Sequence, residues 1–448
     1  MRKVITYGVF DVFHEGHRRL LERAKALGDY LVVGITDNTF DELRGKLSTV
    51  DSFEVRAANV MATGYADEII VEDHDGQKAE DIARLGIDIF AIGSDWRGKF
   101  DYLRAYCEVV YLDRTTGVSS TQMRDARYPA VRLGIIGSGR IARRFVPEAR
   151  ATQHVDIRGI YNPHLDSANV MQSQFKIPLA TDNLETLLSD VEAIYIATPH
   201  ETHVPYARLA LEAGKHVLAE KPLALNAADA EMLFELADEK GLVLMEALKT
   251  AYSPSFCKLI SLVRGGTIGD VIDVEACFTR LTAPGCRERD DALFGGSFLE
   301  LGSYVLLPAL RLLGCKPDNV RFDVTRDGLG LDLFTKVHLD YGGRFAMGKV
   351  GLGVKSEGEL VISGTNGTIV VKAPWWKPQH IEVHYEDPTH VDVFEYSFAG
   401  EGLRYEASEF THRIRGHEGR TEKMMSGESI AMARILEEFL AHENRALV

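Results

Sequence analysis

Cysteine is scarce in this chain: Cys107, Cys257, Cys277, Cys286 and Cys315 stand far apart among 448 residues. An odd, scattered set without CxxC spacing supports neither a zinc site nor a disulfide framework. Reduced thiols in a cytoplasmic protein are the expectation. Proline is sparse too, at 14 residues, and nothing points to long disorder. Positive charge is in deficit, with 51 Lys and Arg against 66 Asp and Glu and a net charge of -15. That excludes a broad nucleic-acid surface, which needs clustered cations, but leaves room for local pockets that hold single phosphates. No apolar run approaches the length of a membrane span. The opening Met1-Arg2-Lys3-Val4-Ile5-Thr6-Tyr7-Gly8 lacks a signal-peptide core and cleavage site and runs straight into a strand pattern.

What is present is enough apolar material, 45% of residues, for several packed cores. The length predicts two to three domains. Two strand-then-glycine starts divide the chain. The first is Val4 to Asp11, followed by a helix pattern from about His17 to Leu27. Apolar runs at 30–35, 68–71, 87–93 and 108–112 then alternate with helical stretches, the signature of a parallel, doubly wound sheet. The second start is Val131 to Gly137, with further strands at 157–161, 193–197, 216–219 and 242–245. After about Pro254 the runs at 271–276, 331–339, 344–350 and 368–371 are no longer all separated by helices. They predict a mostly antiparallel open sheet in an α+β domain. The tail from Ser426 to Asn444 reads as a helix. The expected domains are residues 1–128, 129–255 and 256–425, with the terminal helix (about 426–448) packing back on the second. The connection Asp125 to Ala130 is short, so the two halves should touch.

His14-Glu15-Gly16-His17 follows the first strand directly. Two histidines three apart at a helix start can face one anion, and the helix amides add a partial positive field. Such a site suits charge developing on a phosphoryl group. The same spacing could hold a metal or lie on a solvated surface. Arg114-Thr115-Thr116-Gly117-Val118-Ser119-Ser120-Thr121 follows the last strand of the same unit. An Arg, a glycine turn and several hydroxyls form a cradle for triphosphate oxygens, or else a capped turn. Both motifs in one small unit are more specific than either.

Residues 1 to about 125 resemble the glycerol-3-phosphate cytidylyltransferase family. The likeness rests on Thr6 to His17, Leu21 to Val33, Gly93 to Asp101, and Cys107 to Leu112 with the Arg114 motif. The resemblance implies a nucleotidylyltransferase Rossmann-like fold. It implies that His14 and His17 stabilise the transition state at the α-phosphate and that Lys46 neutralises phosphate charge. Arg114, Thr116, Gly117, Ser119, Ser120 and Thr121 would hold the triphosphate of CTP with Mg²⁺. Gly8, Phe10, Asp11 and Asp95 complete the expected nucleotide site, with no metal ligand from the protein. The chain departs from the family at Gly64, where the family has Arg, and near Asp75, where it has Trp. The loop from Asp41 to Asp51 is also one residue longer. The acceptor is therefore expected to differ from glycerol 3-phosphate, or the unit to be a binding module only.

Gly137-Ser138-Gly139-Arg140-Ile141-Ala142 lies between a strand and a helix, where glycines allow a pyrophosphate to approach the helix N-terminus. The second strand ends at Asn162, about where an acidic ribose ligand is expected ~20 residues on. An acid there would repel a 2′-phosphate, so its absence favours NADP. Arg140 could pair with that phosphate or be a solvated helix residue. Ala219-Glu220-Lys221-Pro222, Ala197-Thr198-Pro199-His200 with His203, Met245-Glu246-Ala247, Ser363 to Ile369 and Gly400 to Tyr405 resemble the Gfo/Idh/MocA oxidoreductase family over about 131 to 445. That likeness implies a dinucleotide-binding domain and a homo-oligomer, dimer or tetramer, built through the open sheet. Gly137, Ser138, Gly139, Arg140, Ile141, Asn162, Thr198, Pro199, His203, Glu220 and Lys221 would bind the cofactor.

The family's D-x-G-x-H stretch reads Glu300-Leu301-Gly302-Ser303-Tyr304 here. Tyr304 is expected as acid/base with its pKa lowered by a nearby Lys. Lys221 polarises the carbonyl and Glu300 orients. The expected function is reduction of a sugar or ketose phosphate by NAD(P)H, then coupling of the alditol phosphate to CTP. The product would be a CDP-alditol for surface polysaccharide or teichoic-acid-like polymers. The alternative order has the CDP-linked product reduced.

Overall fold

The computed structural model describes residues 1–47, 49–113, 128–152, 154–328, 330–416 and 423–442. The chain divides into two compact units, Met1–Ala130 with Arg415–Thr421, and Val131–Ile414 with Glu422–Val448.

The first unit is a five-stranded parallel sheet in the order β3-β2-β1-β4-β5. Its strands are β1 (Lys3–Gly8), β2 (Tyr30–Thr36), β3 (Glu68–Glu72), β4 (Ile89–Gly93) and β5 (Glu108–Leu112). Continuous apolar runs suit strands covered on both faces. Val4, Leu31, Val33 and Ala91 pack on Leu21 and Ala24 of one helix, while Ile5 and Phe90 pack with Ile82 on the other side. Winding reverses between β1 and β4, and such a reversal opens a crevice at the carboxyl ends of the strands. The helix Glu15–Lys25 starts there, two residues earlier than the sequence pattern suggests. It has Glu15 in its first turn and Arg23 and Lys25 in its last, both favoured by the helix dipole.

The second unit holds two sheets. The parallel one runs β11-β10-β9-β6-β7-β8. It comprises β6 (Val131–Ile136), β7 (Val155–Tyr161), β8 (Leu179–Thr181), β9 (Ala193–Ile196), β10 (His216–Glu220) and β11 (Leu244–Ala247). Its reversal falls between β6 and β9. The other sheet runs β13-β14-β15-β12-β16-β17-β18-β19. Its strands are β12 (Val271–Thr279), β13 (Asn319–Arg326), β14 (Asp332–Asp340), β15 (Phe345–Gly351), β16 (Leu360–Gly364), β17 (Thr368–Val371), β18 (His380–His384) and β19 (Val391–Glu395). All its pairings are antiparallel except β12 with β15. The sequence pattern did not reveal β8, β13, β16, β18 or β19, because short or half-exposed strands carry little periodic signal.

One face of this sheet is covered by the helix Ser297–Leu313, in which every residue except Glu300 and Leu312 is buried. Gly348 of β15 makes the close approach possible: a Cβ there would meet Val305 Cγ2 at 2.6 Å. The helix Ser426–His442 joins the layers. Ala433 packs with Ala224 and Ala230 beside the parallel sheet, and Phe439 packs on Phe298 of the covering helix at 4.6 Å between centroids.

Candidate functional site

In the first unit a cavity of about 260 Å³ lies at the carboxyl ends of β1 and β4. Gly8, Phe10, His14, His17 and Asp95 line it, as do Arg23 and Trp96, which the sequence did not single out. His14 is the extended residue that caps the helix Glu15–Lys25. Its Nδ1 accepts from the His17 amide at 3.3 Å, which leaves the ring proton on Nε2. The two imidazoles stack, with centroids 3.8 Å apart. Burial lowers the His14 pKa. Burial, with His14 and Lys46 adding repulsion, takes His17 down to about 3. Both rings are therefore neutral near pH 7. His17 Nδ1 is buried without a hydrogen-bond partner and is open to a polar ligand group or a water.

The loop that delivers His14 is strained. Phe10 and Val12 have φ of 54° and 46°, a region β-branched residues rarely enter. Polar anchors hold it. Val12 N donates to Asp51 at 3.0 Å, and the Val50 and Asp51 amides donate to Asp11 at 3.0 and 2.9 Å. Arg56, wholly buried, donates to the main-chain oxygens of Val9, Thr36 and Asp51. Asp11 thus turns into the loop rather than lining the cavity, and Lys46 acts on His17 as a neighbouring charge. Strain held in this way clusters at functional sites. The Arg56 and Asp51 anchors were not read from sequence, since their partners are distant in it. Arg114, Thr116, Gly117, Ser119, Ser120 and Thr121 lie outside the described residues. Gly64 ends the turn after the helix Phe53–Met61 with φ +71° and open space where a Cβ would stand.

In the second unit a cavity of about 910 Å³ is lined by every expected cofactor residue: Gly137, Ser138, Gly139, Arg140, Ile141, Asn162, Thr198, Pro199, His203, Glu220 and Lys221. Gly137 has φ +101°, and a Cβ on it would sit 2.4 Å from Ala197 O. Gly139 opens the helix Arg140–Arg150, and no side chain caps its first amides. This cradle fits a dinucleotide pyrophosphate. Asn162 Nδ2 donates to Ser138 Oγ at 2.8 Å. Arg140 corrects one expectation: it pairs with Glu288, so it is not the free cation for a 2′-phosphate. Arg143, His164 and Ser167 line the cavity at the Asn162 end instead. His203 is structural, with its ring nitrogens facing the carbonyls of Pro222 and Thr198 at 2.8 and 2.9 Å.

Glu300 and Tyr304, four apart on the covering helix, both line the same cavity. Lys221 Nζ donates to the Glu300 main-chain oxygen at 2.8 Å and lies 3.6 Å from its carboxylate. Tyr304 is a second correction. Its pKa is raised well above 10, not lowered, by burial and then by Glu220, Glu406 and Glu300. The phenol keeps its proton. His200, Arg280 and Arg287 also line the cavity and escaped the sequence reading. Arg280 and Arg287 sit on a segment without periodicity, and His200 stood in a motif whose chemistry was assigned to its neighbours.

Fold and cavities define two joined enzymes, a nucleotidyl-transferring unit and an NAD(P)-dependent oxidoreductase. Residues 5–126 match the family model of cytidylyltransferase-like proteins, residues 131–248 that of the oxidoreductase family with NAD-binding Rossmann fold, and residues 256–370 that of the GFO/IDH/MocA C-terminal domain. A glycerol-3-phosphate cytidylyltransferase of Bacillus spizizenii is 51% identical over 124 residues, 28% of this chain and 95% of the relative. A trans-1,2-dihydrobenzene-1,2-diol dehydrogenase of Sus scrofa is 32% identical over 322 residues, 69% of this chain and 96% of the relative. The crystal structure of a 3-ketoreductase from Actinomadura kijaniata, with NADP and TDP-benzene, superposes with a TM-score of 0.59 at 25% identity, covering 69% of this chain and 96% of that one. The chain belongs to the cytidylyltransferase-like family in its N-terminal quarter and to the GFO/IDH/MocA oxidoreductases over the remainder. Among the described residues no helix is long and apolar enough to cross a membrane.

Proposed function

We propose that the chain makes a CDP-alditol from CTP, a small sugar phosphate and NAD(P)H. The observation that carries this reading is the pairing in one chain of two complementary sites. One is a neutral imidazole pair facing a cavity of about 260 Å³, and the other is a Lys–Glu–Tyr cluster beside a dinucleotide cradle. In the first, a phosphate oxygen of the acceptor attacks the α-phosphorus of CTP and the bond to pyrophosphate breaks. His14 Nε2–H and His17 meet the charge that develops on the α-phosphate oxygens. Mg²⁺ travels with the triphosphate, and Lys46, Arg114, Ser119, Ser120 and Thr121 share its charge.

In the second site, bound NAD(P)H supplies the hydride. NADP is the preferred form, supported by Asn162 in place of an acid and by Arg143 and His164 nearby. Lys221 polarises the carbonyl and Glu300 fixes Lys221. Tyr304, held protonated, donates a hydrogen bond to the developing alkoxide, and the Lys221 ammonium gives the proton that completes the alcohol and regains one from solvent. The sequence-based expectation has reduction first. A second order, in which the CDP-linked ketose is reduced, is favoured by the TDP compound that the solved 3-ketoreductase carries with NADP. The test is to supply purified protein with CTP, NADPH and a panel of C3 to C6 sugar phosphates. Formation of a CDP-alditol supports the reading, and its absence across the panel refutes it. Pyrophosphate release before NADPH is added identifies transfer as the first step.

A further inference from the structure

Glu300 lies on the covering helix and lines the larger cavity. Its carboxylate reaches the centre of four donors: Lys221 Nζ at 3.6 Å and His200 Nε2, Arg280 Nη2 and Arg287 Nη2 each at 3.7 Å. Every one of these separations exceeds a hydrogen bond of about 2.7–3.2 Å. The donors surround the carboxylate without closing on it. Two of them also bond elsewhere, Arg280 Nη2 to the Glu288 carboxylate at 2.9 Å and Lys221 Nζ to the Glu300 main-chain oxygen at 2.8 Å. Arg287 Nη1 and Arg280 Nε are buried with no hydrogen-bond partner, and His200, only 5% exposed and neutral, offers a single N–H. Buried donors left open in this way call for a ligand or a bound ion.

Charge points in the same direction. Four cations, Arg140, Lys221, Arg280 and Arg287, meet two carboxylates, Glu288 and Glu300. Burial and the neighbouring cations keep His200 neutral, so it adds a donor without a charge. The surplus suits a dianion. The scaffold is also fixed. Arg280 follows β12 directly, Arg287 opens the short helix Arg287–Asp290, and Gly296 N donates to Glu288 O at 2.9 Å, tying that segment to the start of the Glu300 helix. Arg289 closes the loop by donating to Thr282 O at 2.8 Å. The pyrophosphate cradle at Gly137–Gly139 is formed separately, on the parallel sheet.

We propose that Arg280, Arg287 and His200 form an anchor for a phosphate or diphosphate ester on the carbonyl substrate, and that in its absence Glu300 stands in for that anion. The proposal rests on the reading of this cavity as the carbonyl-reducing site. It names the substrate class as an anionic ester and excludes free neutral sugars. Guanidinium forks match phosphate oxygens in pairs, whereas a neutral hydroxyl accepts a single bond and brings no charge to offset the cations.

The test uses the full chain. Calorimetric titration with inorganic phosphate, fructose 6-phosphate, CDP and neutral fructose is run with and without NADPH. Relative to wild type, Arg287→Gln and Arg280→Gln are expected to weaken binding of the anions at this unit by roughly tenfold to a hundredfold, on the strength of charge-assisted hydrogen bonds. Glu300→Gln should tighten it, because the resident anion is removed. NADPH affinity should stay within about twofold. Stronger binding of CDP than of phosphate identifies a nucleotide-linked ester, and the reverse identifies a monoester. Arg287→Lys, which keeps the charge, serves if the Gln variant does not fold. Unchanged anion binding in the Arg variants, weaker binding in Glu300→Gln, or a loss confined to NADPH would overturn the anchor. Failure of the function reading looks different: anion binding responds as expected, yet no carbonyl is reduced.

Discussion

His14 and His17 work as one object. The cap bond fixes the tautomer of the first ring, the stack fixes the second, and burial holds both neutral. His17→Ala should lower the rate of pyrophosphate release by roughly 10²–10³-fold, the usual cost of losing one transition-state donor, while NADPH-dependent reduction persists. Stability carries a second signature. Because the folded His17 resists protonation down to about pH 3, the unfolded chain takes up the proton first as pH falls below 6.5. Stability from this group is therefore present above pH 6.5 and is lost as pH drops, roughly 2 kcal/mol by pH 5. Denaturation of wild type and His17→Asn between pH 7 and 5 checks this, with the variant losing less. Tyr304 carries the opposite lesson. Its burial among Glu220, Glu406 and Glu300 turns a presumed proton source into a held donor.

Among the elements, the strand–turn–helix at Gly137 is the most sharply specified. A Cβ would strike Ala197 O, and φ +101° is foreign to other residues. Gly137→Ala should raise the Kd for NADPH by roughly tenfold or more, on about 1–3 kcal/mol of backbone strain, with pyrophosphate release unaffected. Fluorescence titration of NADPH measures it. The helix Leu165–Phe175 ends on Lys176 in the left-handed region, φ 52° and ψ 50°. Glycine enters that region without penalty, so Lys176→Gly should stabilise the unit by about 1 kcal/mol. Urea unfolding would register that as a higher midpoint at unchanged slope. These elements were legible because the strand, the glycine turn and the helix are contiguous. The strained Phe10–Val12 loop was not, because Asp51 and Arg56, which hold it, lie about 40 residues away in sequence.

At the scale of the molecule, each cavity draws its described lining from one unit only. Two variants, His17→Ala and Lys221→Ala, should therefore each fail to make CDP-alditol alone and restore its formation when mixed. Product in the mixture shows that the intermediate moves freely between molecules, whereas none at matched concentrations shows that the two steps need one chain.

What the sequence determined by itself is whatever local order encodes. That covers the two strand–glycine starts, the alternation that makes parallel sheets, the imidazole pair at a helix start, and the Lys221 and Glu300–Tyr304 motifs. Neighbours along the chain set these, so periodicity and spacing suffice. Only the tertiary structure decided that Arg140 belongs to Glu288, that Tyr304 keeps its proton, and that Arg280, Arg287 and His200 gather around Glu300. Those outcomes depend on burial and on charges brought together from β12, the segment after β9 and the covering helix. Desolvation and Coulomb interaction act through space, and no spacing along the chain records them.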